Sequence, residues 1–427
     1  MRPGAEPFDT EHFHMDTITG LHSREALAGY DRARLEGAVV VVVGAGAAGN
    51  NIVLTLALAG AGEVRIIDPD TVEPSNLTRA PLFRRERLAG NRRRHKAREL
   101  ALGALGHSYA SAPVARYAAA RVEALGLGAF QGAHVVVSAV DSLAVRAYLA
   151  DATRLLGIPL VETGFAGPHG HVSVFANRAG EEPCWRCLHP QVAAGGFSCA
   201  LYAAEAEAQG FTPSTQTVAA AFGALAAEAV VQALHGEFPL GGRVMELNVR
   251  TGASRSYGIS ADPACPGAHR RYPEPTTLDV GAEQPLKALF AALAVRFVEP
   301  VLHLPMPYLV SAPCARCGAL VSIGRPIESG LERIVCKACP TVPQFGPGSL
   351  QVITEVRATD AVRDRACRKV GLPPGAVFQV EDLQRRTTEV VRLRGGPADL
   401  FSTVGPRDKG DADQPGDDAT AGGAGEA

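Results

Sequence analysis

Five consecutive valines, preceded by Ala38 and followed by a glycine-rich turn and an apolar stretch, set the first strong pattern of the chain. The segment AVVVVVGAGAAGNNIVLTLALAGAGEVRIIDPD reads as buried strand, glycine turn, apolar helix and second strand, a βαβ unit. A further apolar strand, His134 to Val140, ends at Asp141, and Ile158 to Val161 supplies another just before Glu162. Val218 to Leu234 is apolar nearly all round, with one acid, Glu228, and reads as a buried helix of the same domain. Residues 1–35 are polar and expected to be partly helical from Ser23. The first domain is therefore placed at 36–272. A shift to Pro, Arg and Cys between Asp262 and Pro275 marks its end, a smaller domain follows over 280–396, and the Gly, Asp, Ala and Pro tail at 397–427 is expected to be disordered.

At 427 residues, with 46% apolar and 20% charged positions, the chain has the composition of an ordinary globular protein of two or three domains. Its 42 Lys+Arg against 44 Asp+Glu give a net charge of −2, which points to neither nucleic acid nor a membrane as a partner. The N-terminus lacks the charged and then apolar stretch of a secretory signal, and the apolar runs are strand-sized, so a cytoplasmic location with reduced thiols is expected. Nine cysteines, several at short spacings in a chain too large to need disulfide staples, favour metal ligation.

Gly44-Ala-Gly46-Ala47-Ala-Gly49 follows a strand and opens a helix, and Asp68 closes the next strand 19 residues after Gly49. Glycines let a backbone approach phosphate, a helix N-terminus attracts anions, and the acid accepts ribose hydroxyls, so the unit reads as an adenine-nucleotide site. An NAD enzyme is the default for such a fingerprint. The next dozen residues displace it, because Asp70, Ser75, Asn76 and Arg79 crowd polar and cationic groups where only a triphosphate-cleaving enzyme has use for them.

These residues, together with VVVSAVDS, IPLVETGFAGPHGHVSVF and EEPCWRCLHP, resemble the ThiF/MoeB/HesA family, the ubiquitin-activating-enzyme-like adenylyltransferases, over a little more than half the chain. The resemblance implies an α/β fold: a Rossmann-like ATP-binding domain with a mixed, mostly parallel sheet, to which the small C-terminal domain with its zinc ribbon is added. It implies that Asp68 holds the ribose, that Asn76 and Arg79 contact the triphosphate, and that Asp141 holds Mg²⁺. It also implies a homodimer in which an N-terminal arginine, here Arg24, reaches the partner subunit's nucleotide. Attack by a carboxylate on phosphate needs such cations to offset anion repulsion. Ser142 stands where the family usually has asparagine. The family's catalytic lysine maps to Lys96, or its role to Arg93 if the local insertion lies later. Arg84 to Arg98 holds eight Lys or Arg, which serve either as a solvated helix face or as an RNA or partner surface.

Cys184-x₂-Cys187 corresponds to half of the family's structural zinc site. The expected second pair is replaced by Cys265-x₃-His269, giving either a Cys₃His site or a metal-free remnant. Cys314-x₂-Cys317 and Cys336-x₂-Cys339, 18 residues apart, have the spacing of an independent zinc ribbon, either a docking module or a structural staple. Cys199 is either a thiol that receives the activated carrier or a small buried hydrophobe. Cys367 lies among cations that would favour a thiolate. Val391-Arg-Leu-Arg-Gly-Gly396 looks like the end of ubiquitin, and reads either as a fused substrate or as a strand closed by a Gly-Gly turn.

The function expected on these grounds is ATP-dependent adenylation of the C-terminal glycine of a ubiquitin-like or sulfur-carrier protein ending in Gly-Gly, with Cys199 and a downstream conjugating enzyme or sulfurtransferase as the next acceptors. The alternatives are a same-fold enzyme that adenylates a peptide or modified tRNA, and a non-catalytic nucleotide-binding scaffold.

Overall fold

The structure is a computed structural model that describes residues 20–88, 93–178, 182–190, 214–265, 269–314, 316–327, 336–339 and 350–405. The first domain contributes strands β1 (Val39–Val43), β2 (Glu63–Ile67), β3 (Val114–Ala118), β4 (Val135–Ser138), β5 (Leu160–Ala166), β6 (His169–Phe175), β7 (Arg243–Asn248) and β8 (Ser254–Gly258). The second contributes β9 (Thr276–Gly281), β10 (Pro300–Pro313), β11 (Leu320–Pro326), β12 (Gln351–Arg357), β13 (Val377–Asp382) and β14 (Thr387–Arg394), after which β15 (Ser402–Thr403) closes the described chain.

The first nine-stranded sheet has the order β15-β3-β2-β1-β4-β5-β6-β7-β8. Its five central strands β3 to β5 pair in parallel and the flanking pairs are antiparallel, so the sheet is mixed. The valine run is continuous rather than alternating because both faces of β1 are covered, and Val40, Val41 and Val42 are fully buried. Helices Ala47–Ala59 and Gln216–Leu234 cover one face, where Ile52, Leu56, Phe222 and Val230 join one core. The second of these, 19 residues long, is long and apolar enough to cross a membrane by length and composition, yet it lies packed against the first helix and against β5. Helix Leu143–Leu156 and Phe130 cover the other face. The strand order reverses between β1 and β4, the position where open α/β sheets bind ligands beyond their strand ends.

The second domain is a six-stranded sheet, β11-β10-β13-β14-β9 with β12 also on β10, covered by helix Leu286–Leu293. Cys367 lies in its core, fully buried, and burial pushes its thiol up to about 12. The cations beside it in sequence therefore do not make it a thiolate.

In the C-terminal third one expectation is corrected and one open pair of readings is decided. Disorder does not begin at residue 397, because Pro397–Leu400 is helical, Phe401 and Val404 are buried, and β15 adds to the edge of β3 through Ser402 opposite Tyr117 and Thr403 opposite Arg116. Nor is Gly395-Gly396 a free carrier tail. Leu393 pairs with Leu278 inside the sheet, Gly395 turns the chain at φ +118°, and the helix begins directly after Gly396. The fused-substrate reading gives way to a strand closed by a Gly-Gly turn.

Candidate active site and metal centres

The glycine loop divides its labour. Gly44 has φ +98°, and a Cβ there would lie 2.4 Å from the Ala139 carbonyl oxygen. A Cβ on Gly49 would lie 1.9 Å from the Gly44 oxygen. Both are glycine because backbone passes backbone at these points. Gly46, by contrast, caps the helix at φ −74°, and a Cβ on it would meet nothing within 4 Å. Its bare backbone faces open space at the start of a 13-residue helix with no acid in its first turn, which leaves the positive end of the dipole for an anion. Ala47 is the first helical residue.

Asp68, at the end of β2, is buried and accepts from the N–H of Ala45 at 2.7 Å and of Asp70 at 2.8 Å. Burial raises its pKa, and the backbone donors and Lys96 oppose that rise. One carboxylate thus locks the phosphate loop to the turn that follows. Lys96 Nζ lies 2.9 Å from Asp70 Oδ2, while its own N–H donates to the Asp70 carbonyl. Arg93 is exposed and makes no polar contact among the described residues, so of the two candidates only Lys96 is joined to this loop. Ser75 is exposed and its carbonyl accepts from Arg79 Nη1 at 3.0 Å. Asn76 is buried and its side-chain oxygen accepts from the Glu73 N–H at 2.9 Å, closing a capping box around the turn Pro74–Asn76.

Asp141 is exposed just beyond β4. Ser142 caps the following helix, its hydroxyl accepting from the Val145 N–H at 3.3 Å, which gives a local reason for serine at that position. Arg24 is exposed on the short helix Ser23–Leu27. The segment after it is pinned by Tyr30 to Glu228, by the Asp31 N–H to His235, and by Arg32 to the carbonyl of Ala59. Ala59 ends the helix that Gly46 begins, and His22 reaches the carbonyl of Tyr109, whose N–H donates to Ala57, so the segment that carries Arg24 stands at the far end of that helix from the phosphate loop. Cys199 lies outside the described residues.

Both cysteine sets converge. Cys184 Sγ is 3.9 Å from Cys187 Sγ and 3.6 Å from Cys265 Sγ, and Cys187 Sγ is 3.1 Å from His269 Nε2. In the second set Cys314–Cys339, Cys317–Cys336 and Cys317–Cys339 are 3.6, 3.7 and 3.4 Å apart. A zinc ion with bonds of about 2.3 Å to tetrahedral sulfurs would hold them about 3.8 Å apart, so both sets fit zinc in spacing and in donor type. The backbone N–H groups of Cys317 and Arg316 aim at Cys314 and push its thiol down to about 6. The second set hangs on the β10–β11 hairpin, with Cys314 directly after β10.

The sequence profile of the ThiF family matches residues 23–267, more than half the chain. The chain belongs to the ThiF family. Among relatives of this ThiF-family protein, the sulfur carrier protein adenylyltransferase of Thermus thermophilus is 34% identical over 242 residues, 55% of this chain and 83% of that protein. The adenylyltransferase and sulfurtransferase UBA4 of Yarrowia lipolytica is 35% identical over 154 residues, 35% of this chain and 36% of that protein. The chain thus spans about a third of the length of the two-activity relatives it matches. A solved structure of E. coli MccB with MccA-N7isoASN aligns with TM-score 0.49 and 19% identity, over 60% of this chain and 76% of that chain.

Motif reading misses several residues that shape this ThiF-family site. Asn50, fully buried, accepts from the Leu82 N–H at 2.8 Å and ties the segment beyond Arg79 to the first helix. Gln216 exchanges a hydrogen bond with Asn51 at 2.9 Å. Arg146, Glu162 and His171 form a polar cluster beside Asp141. Their only signal in sequence is charge within otherwise apolar strands and helices.

Proposed function

We propose that this chain is an ATP-dependent adenylyltransferase that activates the C-terminal glycine carboxylate of a small ubiquitin-like or sulfur-carrier protein. The observation that carries the reading is the open space over Gly46, flanked by Asp68 on one strand end and by the Lys96–Asp70 pair on the next turn. A dehydrogenase pyrophosphate would use the glycines and the acid but has no role for a lysine and an arginine close to that acid in the same loop. A triphosphate has.

In this reading the ribose hydroxyls are held by Asp68 and the polyphosphate lies over the N-terminus of the first helix, with Arg79, Lys96, Ser75 and Asn76 along it. A carboxylate oxygen of the carrier attacks the α-phosphorus, the bond from that phosphorus to the bridging oxygen of the β-phosphate breaks, and pyrophosphate leaves with the electron pair. The products are the acyl adenylate and pyrophosphate. Lys96 and Arg79 oppose the charge that repels the incoming anion. Asp141 would hold Mg²⁺, which supplies further neutralisation of the polyphosphate. The place of Arg24, remote from its own phosphate loop, supports a homodimer in which it completes the partner subunit's site. Zinc in the two cysteine-rich centres is part of the same proposal and serves structure, since neither ligand set includes a residue assigned to the nucleotide.

The test is exchange of labelled pyrophosphate into ATP with the full chain and candidate carriers. Carrier-dependent exchange that is lost in Asp141→Ala supports the reading, and an AMP adduct found only on a short peptide or an RNA base overturns its substrate class. A thiol-labile adduct of carrier and enzyme that disappears in Cys199→Ser adds the onward transfer.

A further inference from the structure

The exposed carboxylate of Asp141 sits on a stretch of backbone that is fixed from both sides. On its C-terminal side Ser142 caps a helix. On its N-terminal side the Val140 carbonyl accepts from Arg146 Nε at 2.9 Å, so the side chain from the first turn of that helix reaches back across the residue it must hold. The same guanidinium donates through Nη1 to Glu162. Glu162 is fully buried on β5, directly opposite Ser138 of β4, and its other contacts are the Ser173 hydroxyl at 2.8 Å and His171 Nε2 at 2.8 Å. Burial and the nearby guanidinium hold His171 down to about 4, so at neutral pH it is an uncharged donor to that carboxylate. Gly164 leaves the necessary room, since a Cβ there would lie 2.5 Å from Arg146 Nη2. A buried carboxylate held by three donors, with a fork that ends on the peptide before Asp141, is more than a filled core requires.

We propose that Arg146 and Glu162 are positioning residues for adenylation: Glu162, braced by Ser173 and His171, fixes the Arg146 fork, which fixes the Val140–Asp141 peptide and thereby the direction of the Asp141 carboxylate. This rests on the reading of Asp141 as the group that holds Mg²⁺ on the nucleotide. The two residues touch neither substrate nor metal. They act through backbone, and a misplacement of about 1 Å at a reacting group costs on the order of 100-fold in rate.

The experiment uses the full chain carrying Glu162→Gln, Arg146→Lys, their double variant and Asp141→Asn. Calorimetric binding of ATP across a Mg²⁺ series is the readout that needs no turnover. Pyrophosphate exchange supplies kcat and KM. Each single variant is expected to raise the Mg²⁺ concentration for half-maximal ATP affinity about 5-fold or more and to lower kcat about 10- to 100-fold, with the carrier KM within about 2-fold. The double variant is expected to be no worse than the poorer single one, because the two act as one unit. Folded single variants that keep the wild-type Mg²⁺ dependence of ATP binding overturn the proposal. Should either fail to fold, Gly164→Ala, whose Cβ would lie 2.5 Å from Arg146 Nη2 and 3.1 Å from the His171 ring, presses on the fork and on one of its braces and must shift that dependence in the same direction. Wild-type ATP binding indifferent to Mg²⁺ and to Asp141→Asn removes the metal role and the proposal with it. Mg²⁺-dependent binding without any carrier adenylate overturns only the proposed substrate, and the variants' binding curves still decide the positioning role.

Discussion

Lys96 Nζ and Asp70 Oδ2 lie 2.9 Å apart, joining the helix that follows the basic segment to the turn that follows β2. The lysine side chain is mostly covered and the carboxylate mostly exposed, and pairs this open to solvent contribute about 0–1 kcal/mol to stability. Lys96→Ala is accordingly expected to change the unfolding free energy by less than about 1 kcal/mol and to lower exchange turnover by about 100-fold, as loss of one charge-stabilising donor does. Denaturant unfolding and exchange kinetics on one preparation separate the two.

The glycine loop offers a sharper separation. Gly49→Ala places a carbon 1.9 Å from a backbone oxygen and is expected to cost about 3 kcal/mol or more, read as a lower melting temperature or loss of soluble protein. Gly46→Ala has both space and an ordinary φ, so its melting temperature should stay within a few degrees while ATP affinity falls about 10-fold or more. An unchanged affinity would remove the phosphate from this loop.

His171 and His189 set a pH window. Burial first, then the Arg146 charge, hold both down to about 4, with Glu246 pulling His171 slightly upward. A histidine depressed from 6.5 in the unfolded chain to about 4 in the fold binds its proton preferentially when unfolded, so stability present above about pH 6.5 is lost as pH falls toward 4. Melting temperature should therefore drop over that interval, and His171→Asn should make the drop shallower. A buried Asp68 with a raised pKa works with the opposite sign, which makes the double comparison with Asp68→Asn informative.

Metal analysis of the purified chain is expected to give two zinc ions. Cys265→Ser should lower the count to one and destabilise the first domain, and Cys336→Ser should lower it to one while ATP binding persists. A count unchanged in both variants would exclude these ligand sets.

Much of this was legible in the residues because each signal was local. The valine strand, the glycine loop and Asp68 sit within 30 positions, and the paired cysteines carry their spacing with them. His269 was readable for the same reason, although it replaces a cysteine. What the residues hid is long-range: Arg146 meets Glu162 through a helix turn folded back over a strand, and no periodicity announces that. Lys96 is the choice the sequence already favours over Arg93, and its ion pair with Asp70 is a contact that spacing alone does not announce. The order of the tail was not legible because its apolar residues Leu400, Phe401 and Val404 are few and lack a strand or helix period, and the strand that they flank pairs with β3, almost 300 positions earlier.

One of those residues yields a direct measurement. Phe401→Ala is expected to cost about 3 kcal/mol by denaturant unfolding, since it empties a buried aromatic site shared with the core around Phe130.

Because β15 comes back to the sheet that the chain left before β9, the second domain is an excursion held at two points, not an appendage on one linker. Its Gly395 carbonyl lies against Gly375, and Gly396 against Gln131 of the first domain. The return strand β15 borders β3, and β3 borders β2, the strand that leads into Asp68, so the second domain is tied at its far end to the edge of the sheet that carries the phosphate loop.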